Sequence, residues 1–500
     1  MSKKTLAPCL LAMFVTAPVA TLAAEPIEVG NRKQLFFDDV LIETLRNVEL
    51  TMNPPFATSE VLITADQPHE RNSHISLYNS VLKEPDGRVR VWYDLLTITG
   101  SGPYDHERRV CYAESPDGIH FTKPALGLYA MEGSKETNVV LPGVIAGSAV
   151  WIDPQAPAEH RYKTQAKVYP SQKFHMHSSP DGIKWTLFAE INSRGAHDTQ
   201  TIIFWDRHLE RYLFYGRNRE VTPEIDIRCR SVRRAELLEL TRVENTGLVI
   251  WPDAVDRATY DAPEGTTPVD YYGATVFPYP EADDVYIMLA QAFWHWIPTD
   301  RDTRTLPPGT RDVRLAISRD SKHFRRVGKR GPFLRPGPAG RFDSRQIWAM
   351  PNPIIVGDEI WIYYSGLNWD RTDQTDPAAP HGRRMSAISR AVMRLDGFVS
   401  ADAPYGGGEL TTRPLRFSGS RLELNVDTAG GGGVRVELLD GTGKPIRGLS
   451  GAASVWHVGN SVRLSVTWPG DVDLGSWAGK PVRLRFVLRD AKLYAFQFRT

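Results

Sequence analysis

Apolar residues recur at every second position in short runs along most of the chain, and Gly, Pro and Asp clusters separate the runs. Such alternation sets one side of an extended segment against a core, so the pattern predicts strands and little helix. Five runs end alike. Arg109 to Ser115, Phe174 to Ser179, Ile227 to Ser231, Val313 to Ser318 and Met385 to Ser389 each alternate and close on a serine. Two then continue as near copies, Ser115-Pro-Asp-Gly-Ile-His-Phe121 and Ser179-Pro-Asp-Gly-Ile-Lys-Trp185, and Ser318-Arg-Asp-Ser-Lys-His-Phe324 is a looser third. An Asp-Gly turn followed by an aromatic predicts a hairpin, because Gly supplies positive φ and the aromatic covers the layer beneath. Two more strands precede each serine. The inner ones are Ile75 to Leu82, Ala149 to Ile152, Thr201 to Trp205, Ala274 to Tyr279 and Ile347 to Val356. Only Arg233 to Leu240 carries a helical pattern.

Three strands and an outer fourth, repeated five times, predict an all-β fold: a five-bladed β-propeller over residues 25–403. The segment Gln34 to Ile42 and the strand near Ala391 to Leu395 are expected to close the ring in the last blade. Stacked sandwiches could use the same strands, but the matched serines favour radial repetition. Past Asp396-Gly-Phe398 the composition shifts to glycine-rich turns between alternating runs, Arg421 to Val426, Val434 to Leu439, Val462 to Trp468, Val482 to Leu488 and Lys492 to Phe498. Residues 404–500 therefore read as a small antiparallel β-sandwich. With Trp456 and Trp477 as its few aromatic candidates, a packing partner is favoured over a carbohydrate-binding module.

The 500 residues are 41% hydrophobic and 24% charged, enough for a sizeable core. A formal charge of +1 lacks the positive excess that holds a polyphosphate chain, which argues against nucleic acid as a partner. Lys3 and Lys4, the apolar run from Leu6 to Leu22 and then Ala23 and Ala24 follow the order of a cleavable signal peptide, residues 1–24, so a secreted or periplasmic protein is expected. Pro8 and Pro18 argue against an anchor, and no later stretch predicts a membrane span. Cys9 leaves with the signal; Cys111 and Cys229 are expected to be buried thiols. No spacing suggests a metal site or cofactor, and a structural calcium has no ligand pattern in its favour.

Residues just ahead of each innermost propeller strand converge on one mouth of the central channel. Asp198, Asp270 and Asp343 hold that place in units three, four and five, and Glu70 a comparable one in unit one. Crowded carboxylates acquire divergent pKa values, so one serves as acid and another as base or nucleophile. Glycosidic bond cleavage is the chemistry such a set serves without a cofactor. Trp294, His295 and Trp296 are candidate stacking residues, and Arg71, His74, His197, Tyr271 and Arg345 candidate partners for hydroxyls or a uronate. Each has a structural alternative, since an aspartate ahead of a strand often bonds its own backbone. Asp38 and Asp39 are expected to be structural.

Gln34-Leu-Phe-Phe-Asp-Asp-Val-Leu-Ile-Glu43, the Ser-Pro-Asp-Gly-Ile repeats, Asp198-Thr-Gln-Thr-Ile-Ile-Phe-Trp-Asp206, Gly357-Asp-Glu-Ile-Trp-Ile-Tyr-Tyr-Ser-Gly366 and Arg394-Leu-Asp-Gly-Phe-Val-Ser400 resemble secreted bacterial proteins of the five-bladed propeller superfamily that includes arabinanases, levansucrases and invertases. The resemblance spans nearly the whole mature chain and implies a glycoside hydrolase. It implies three acids on separate blades: a base or nucleophile, a stabiliser and a proton donor. The first-blade Asn-Asp-Pro-type motif of that superfamily is absent, and Glu70 or Asp38 would stand in for it. Glu70 is then the base or nucleophile, Asp198 the stabiliser, and Asp270 or Asp343 the donor, acting on a carbohydrate substrate. The rival readings are a non-catalytic carbohydrate-binding propeller and a polysaccharide lyase with Tyr271 or His295 as base and Arg345 as uronate clamp.

Overall fold

The computed structural model describes residues 25–99, 106–168, 173–193, 199–299, 309–370, 383–470 and 473–500. The expected signal peptide lies outside these residues. The described chain is all-β, and its strand pairings group into five successive antiparallel meanders. Unit one runs through Ser73–Ile75 and Ser80–Lys83, Val89–Ile98 and His106–Ser115. The long strand Val139–Ile152 borders unit one with its first half and opens unit two with its second, before Tyr162–Val168, Phe174–Ser179 and Thr186–Glu190. Unit three is Ile202–Asp206, Arg211–Asn218, Ser231–Leu237 and Gly247–Ile250. Unit four is Thr267–Pro278, Tyr286–Thr299 and Gly309–Ser318, edged by Arg325–Arg326 and Pro332–Leu334. Unit five is Gln346–Ala349 with Ile354–Val356, then Glu359–Leu367, Ser386–Arg394 and Phe56–Ala57.

Side chains on the inner strands tie the units together. The buried Gln200 amide donates to the carbonyls of Asn79 in unit one (2.9 Å) and Ser148 in unit two (3.0 Å), and accepts from Trp348 Nε1 of unit five at 3.0 Å. Thr275 Oγ1 donates to Ala349 O at 2.7 Å, joining units four and five. Ser365 Oγ donates to Leu77 O at 3.2 Å, joining five back to one. Four of these bonds end on backbone carbonyls and the fifth on the Gln200 side-chain oxygen, each at a net gain of about 1 kcal/mol and a larger cost if broken.

The serine repeat has one geometry in three places. Ser115 Oγ donates to Asp117 Oδ1 (2.8 Å) and accepts from Gly118 N (2.9 Å), while Asp117 Oδ1 caps the amides of Ile119 and His120. Ser179, Asp181 and Gly182 repeat this, and Ser318 and Asp320 supply the third copy. The aspartates accept several N–H bonds, and the pKa of Asp117 is held low, chiefly by the side chain of His120 and by the capped amides.

Three strand expectations differ from the structure. Gln34–Leu35 does not close the ring; it pairs with Phe496 and Ala495, and Phe56–Ala57 is the outer strand of unit five. The cause is that both faces of this segment are buried. Phe36 packs among Phe486 and Phe496, with ring centres 5.8 and 5.6 Å away, while Leu35 and Phe37 enter the core of units four and five. Arg233 to Leu240, expected to be helical, lies largely within the strand Ser231–Leu237, where pairing on both sides overrides helix propensity. The described α-helix is instead Ala254–Thr259, capped by Asp253. In the C-terminal region, runs expected as separate strands are continuous: Arg421–Asp440 pairs along Val482–Arg499, with a shift of register between Thr428 and Gly433. Ile27–Gly30, Ile42–Arg46 and Glu49–Met52 join the same ten-stranded sheet.

Gly182 has φ +72°, and a Cβ there would lie 2.7 Å from Trp92 Cζ2. Gly182→Ala is therefore expected to cost roughly 2–4 kcal/mol from backbone strain and overpacking. A urea denaturation midpoint unchanged from wild type would contradict it.

Candidate functional site

The strand Thr267–Pro278 sorts its side chains by parity. Val269 and Tyr271 are buried in the core of units three and four. Asp270 and Tyr272 leave on the other side. Asp270, fully buried, accepts from Arg230 N (2.9 Å) and Arg230 Nη1 (2.9 Å), and its Oδ2 is 2.8 Å from His295 Nε2. Tyr272 is partly exposed and sits where units converge. The guanidinium carbons of Arg311, Arg230 and Arg217 lie 4.1, 4.3 and 5.1 Å from its ring centre. Trp348 meets the same ring edge-on at 6.1 Å and Tyr78 at 5.1 Å. Leu77, Tyr78, Trp348 and Leu367 form an apolar floor, against which Tyr272 and Trp369 pack. Arg108 lies 5.5 Å over Tyr78 and is ion-paired with buried Asp94. Units one, three, four and five thus all contribute.

The electrostatics follow from this crowding. Burial alone raises the Tyr272 phenol, but the fields of Arg230, Arg311, Arg217 and Arg219 outweigh it and bring the pKa down to about 6. Burial, together with the neighbouring arginines, lowers Arg217 to about 9. Tyr78 is raised, by burial first and then by the charge on Tyr272. Burial also raises Asp94, against the pull of Arg108.

The residues singled out in the sequence fall in several places. Asp198 and His197 lie outside the described residues. Asp270 and His295 reach the Tyr272 mouth through Arg230. Arg345 stacks on the half-exposed Trp296, 3.8 Å from its ring centre. His74 packs on Trp369, with ring centres 5.4 Å apart. Tyr271 is turned into the core. Trp294 stacks on Tyr260 at 4.8 Å and donates to Asp312 at 3.1 Å. Arg71 is exposed. Asp343 accepts from Tyr364 OH at 2.9 Å and packs against Gly337 and Gly366. Glu70 accepts from the amides of Asp66 and Gln67, from Tyr93 OH at 2.5 Å and from Lys123 Nζ at 2.6 Å. None of these partners of Glu70 or Asp343 lines the Tyr272 mouth. Asp38, expected to be structural, is ion-paired with Arg319 at 2.7 Å.

Tyr272, Arg217, Arg230, Arg311 and Asp94 are the mouth residues that sequence reading missed. For Tyr272 a signal existed: in an extended strand, Asp270 shares its face with residue 272 and not with Tyr271.

His69, Glu70 and Cys111 offer ligand atoms within 4.8 Å of one another, beside a cavity of about 420 Å³ lined in part by Gln67, His69, Lys123 and Asn138. Both Glu70 oxygens are already engaged by Tyr93 and Lys123, His69 Nε2 is 2.8 Å from Asn138 Oδ1, and burial with the nearby Glu70 charge raises the Cys111 thiol. A second cavity of about 740 Å³, lined by residues including Glu49, Asp402, Asp427 and Lys492, lies away from the aromatic floor.

No protein-family model matches the chain, and no curated protein does. Solved structures give distant likenesses. An N-acetylgalactosamine deacetylase from F. plautii, in complex with blood group B trisaccharide, is 15% identical over 70% of this chain and 96% of that one, with a TM-score of 0.45. A β-1,2-mannobiose phosphorylase from Listeria innocua is 12% identical over 69% and 98%, at 0.46. A thermostable family-43 glycoside hydrolase is 16% identical over 68% and 96%, at 0.41. Likenesses this distant assign no reaction.

The lowered phenol has a consequence for stability. Between about pH 6 and the ordinary tyrosine value the folded state binds fewer protons at Tyr272 than the unfolded chain, so stability rises with pH there and the gain is lost as pH falls through about 6. The stability difference between wild type and Tyr272→Phe is expected to widen from about pH 6 upward in thermal unfolding. A constant difference would show that Tyr272 ionises as in the unfolded chain.

Proposed function

We propose that this chain is an exported carbohydrate-active enzyme that cleaves glycosidic bonds, that its five meanders are the blades of a propeller, and that the Tyr272 mouth is its active site. The sheet built from residues 27–52 and the C-terminal strands is then the packing partner of the ring. One observation carries the reading: Tyr272 is partly exposed at the convergence of four units, beneath arginines on separate strands whose fields lower its pKa to about 6. A phenolate with that pKa is a competent base or nucleophile near neutral pH. Trp369 and Trp296, partly or half exposed near the mouth, offer flat apolar faces for sugar rings, and the arginines offer donors to hydroxyl and acidic groups. The sequence resemblance to propeller glycosidases agrees with this.

In this reading Asp270 positions Arg230 and His295 and does not itself attack substrate. Its carboxylate is fully buried and its oxygens are committed to those two residues. Asp198, two residues ahead of the ring-bridging Gln200, remains the candidate for a carboxylate stabiliser. Glu70 and Asp343 act through the scaffold.

A screen of the purified chain against dye-labelled glycans, scored by released reducing ends, tests the assignment. Tyr272→Phe should lower turnover by about 10²–10⁴-fold with the circular dichroism spectrum unchanged. Full activity in that variant would remove Tyr272 from the site.

A further inference from the structure

We infer that the C-terminal sheet carries a second binding site, a cleft rimmed by Tyr405 that takes a neutral glycan chain. The site is separate from the Tyr272 mouth, and occupying it requires no turnover there. The sheet then holds carbohydrate as well as fastening the five units.

The cleft is made by irregular pairing. Arg421–Asp440 runs beside Val482–Arg499 with Thr428 opposite Ala491 and Gly433 opposite Arg489, so the four residues from Ala429 to Gly432 face Asp490 alone. The extra residues must bulge out of the sheet. Gly432 has to be glycine here, because a Cβ would collide with Asp490 O. Asp490 turns back at φ +43° and Asn47 at φ +54°, while Asp490 N and Gly407 N both donate to Pro404 O, at 3.0 and 2.9 Å. Left-handed backbone at a non-glycine residue costs about 1 kcal/mol or more and persists only where the surroundings enforce it. Between these reversals lies the cavity of about 740 Å³, lined in part by Asn47, Pro404, Asp427, Ala429 and Asp490. That volume falls within the range of about 300–1,000 Å³ typical of ligand clefts.

Tyr405 stands at the rim. It follows Pro404 of the lining, its ring reaches the glycine segment, where a Cβ on Gly431 would lie 3.9 Å from Tyr405 Cε2, and the residue is 76% exposed. Trp456 packs on the same segment but is flanked by Arg489 and Arg435, 5.0 and 5.5 Å from its ring centre. Tyr405 therefore offers the open aromatic face beside the cavity, and such a face suits the C–H side of a sugar ring. Charge decides against other occupants. Lys492 is paired with Asp402 at 2.5 Å and Lys329 with Glu49 at 2.7 Å. Arg394, whose field reaches Asp427, is engaged by Asn425, Asn460 and the Val426 carbonyl. The lining thus holds no cationic excess for a polyanion, and its paired acids leave little field to draw a basic peptide. Its carboxylates do not converge on an ion either, since among the described residues three metal-ligating groups come within 4.8 Å of one another at His69, Glu70 and Cys111 and not here. Asp427 and Asp490 accept hydrogen bonds, and the hydroxyls of an uncharged sugar supply the donors.

The test is affinity electrophoresis and calorimetry of the full chain with arabinan, levan, galactomannan and xyloglucan, beside sodium polygalacturonate and polylysine as charged probes. At least one neutral glycan should bind. Tyr405→Ala, at an exposed position that the fold does not depend on, should weaken that binding about tenfold. Asp427→Ala should weaken it by about the same factor through the lost acceptor. Hydrogen exchange with the bound glycan present should slow in the peptides spanning residues 402–407 and 427–433. No binding of any of the four neutral glycans, full affinity in either variant, or protection confined to units one, three, four and five would overturn the site. Tighter binding of polygalacturonate or polylysine, lost in Tyr405→Ala, would overturn the neutral glycan as its occupant. Release of reducing ends is not read, so failure of cleavage at the Tyr272 mouth leaves each of these outcomes unchanged.

Discussion

Three guanidinium groups packed on one phenol ring can coexist only if something outweighs their mutual repulsion and their lost hydration. Each contact with the aromatic face returns about 0.5–2 kcal/mol, which does not match the cost of burying a cation. Asp270 neutralises Arg230, and ionised Tyr272 adds a negative charge on the ring whose centre lies 4.1, 4.3 and 5.1 Å from the three guanidinium carbons. The lowered phenol pKa and the arginine cluster are therefore one feature seen from two sides. Arg217, fully buried and itself shifted down to about 9, shows how far the site is pushed.

Such a cluster needs a frame that cannot relax. The frame is the set of bonds between inner strands, in which the Gln200 amide reaches units one, two and five from its place in unit three. Thr275 and Ser365 continue the circuit. On the far side, the segment around Phe36 is buried on both faces, joining the C-terminal sheet to the cores of units four and five. Lys33 adds ion pairs to Glu281 and Asp396 at 3.0 Å each. The sheet built from segments between Ile27 and Met52 and from the C-terminal strands thus fastens the five units together, and none of the described contacts of Tyr272 comes from it.

Much of this was legible in the chain. The serine and Asp-Gly repeats mark the units because the turn chemistry is local: Asp117, Asp181 and Asp320 cap amides two and three residues onward. What sits on both faces of Gln34–Leu35 was not legible, because a segment buried on both sides loses the alternation that marks an edge. The Arg233 to Leu240 region misled because helix propensity is local and its strand partners are not. In the site, Asp270 and His295 were found, but Tyr271 was chosen over Tyr272 although strand parity pairs residue 272 with Asp270. The arginines come from positions as far apart as 108 and 345, and nothing local marks them as neighbours. Glu70 looked like a mouth residue by its place before a strand, yet its 3₁₀ turn at Pro68–Glu70 aims the carboxylate at Lys123 and Tyr93.

The most direct test of the account is the pH titration of the Tyr272 ring carbon next to oxygen, followed by NMR on selectively labelled protein and assigned with Tyr272→Phe. The resonance should titrate near pH 6 in the wild-type chain and move to higher pH in Arg311→Gln. A Tyr272 signal that stays protonated up to the ordinary tyrosine range, in both proteins alike, would contradict it.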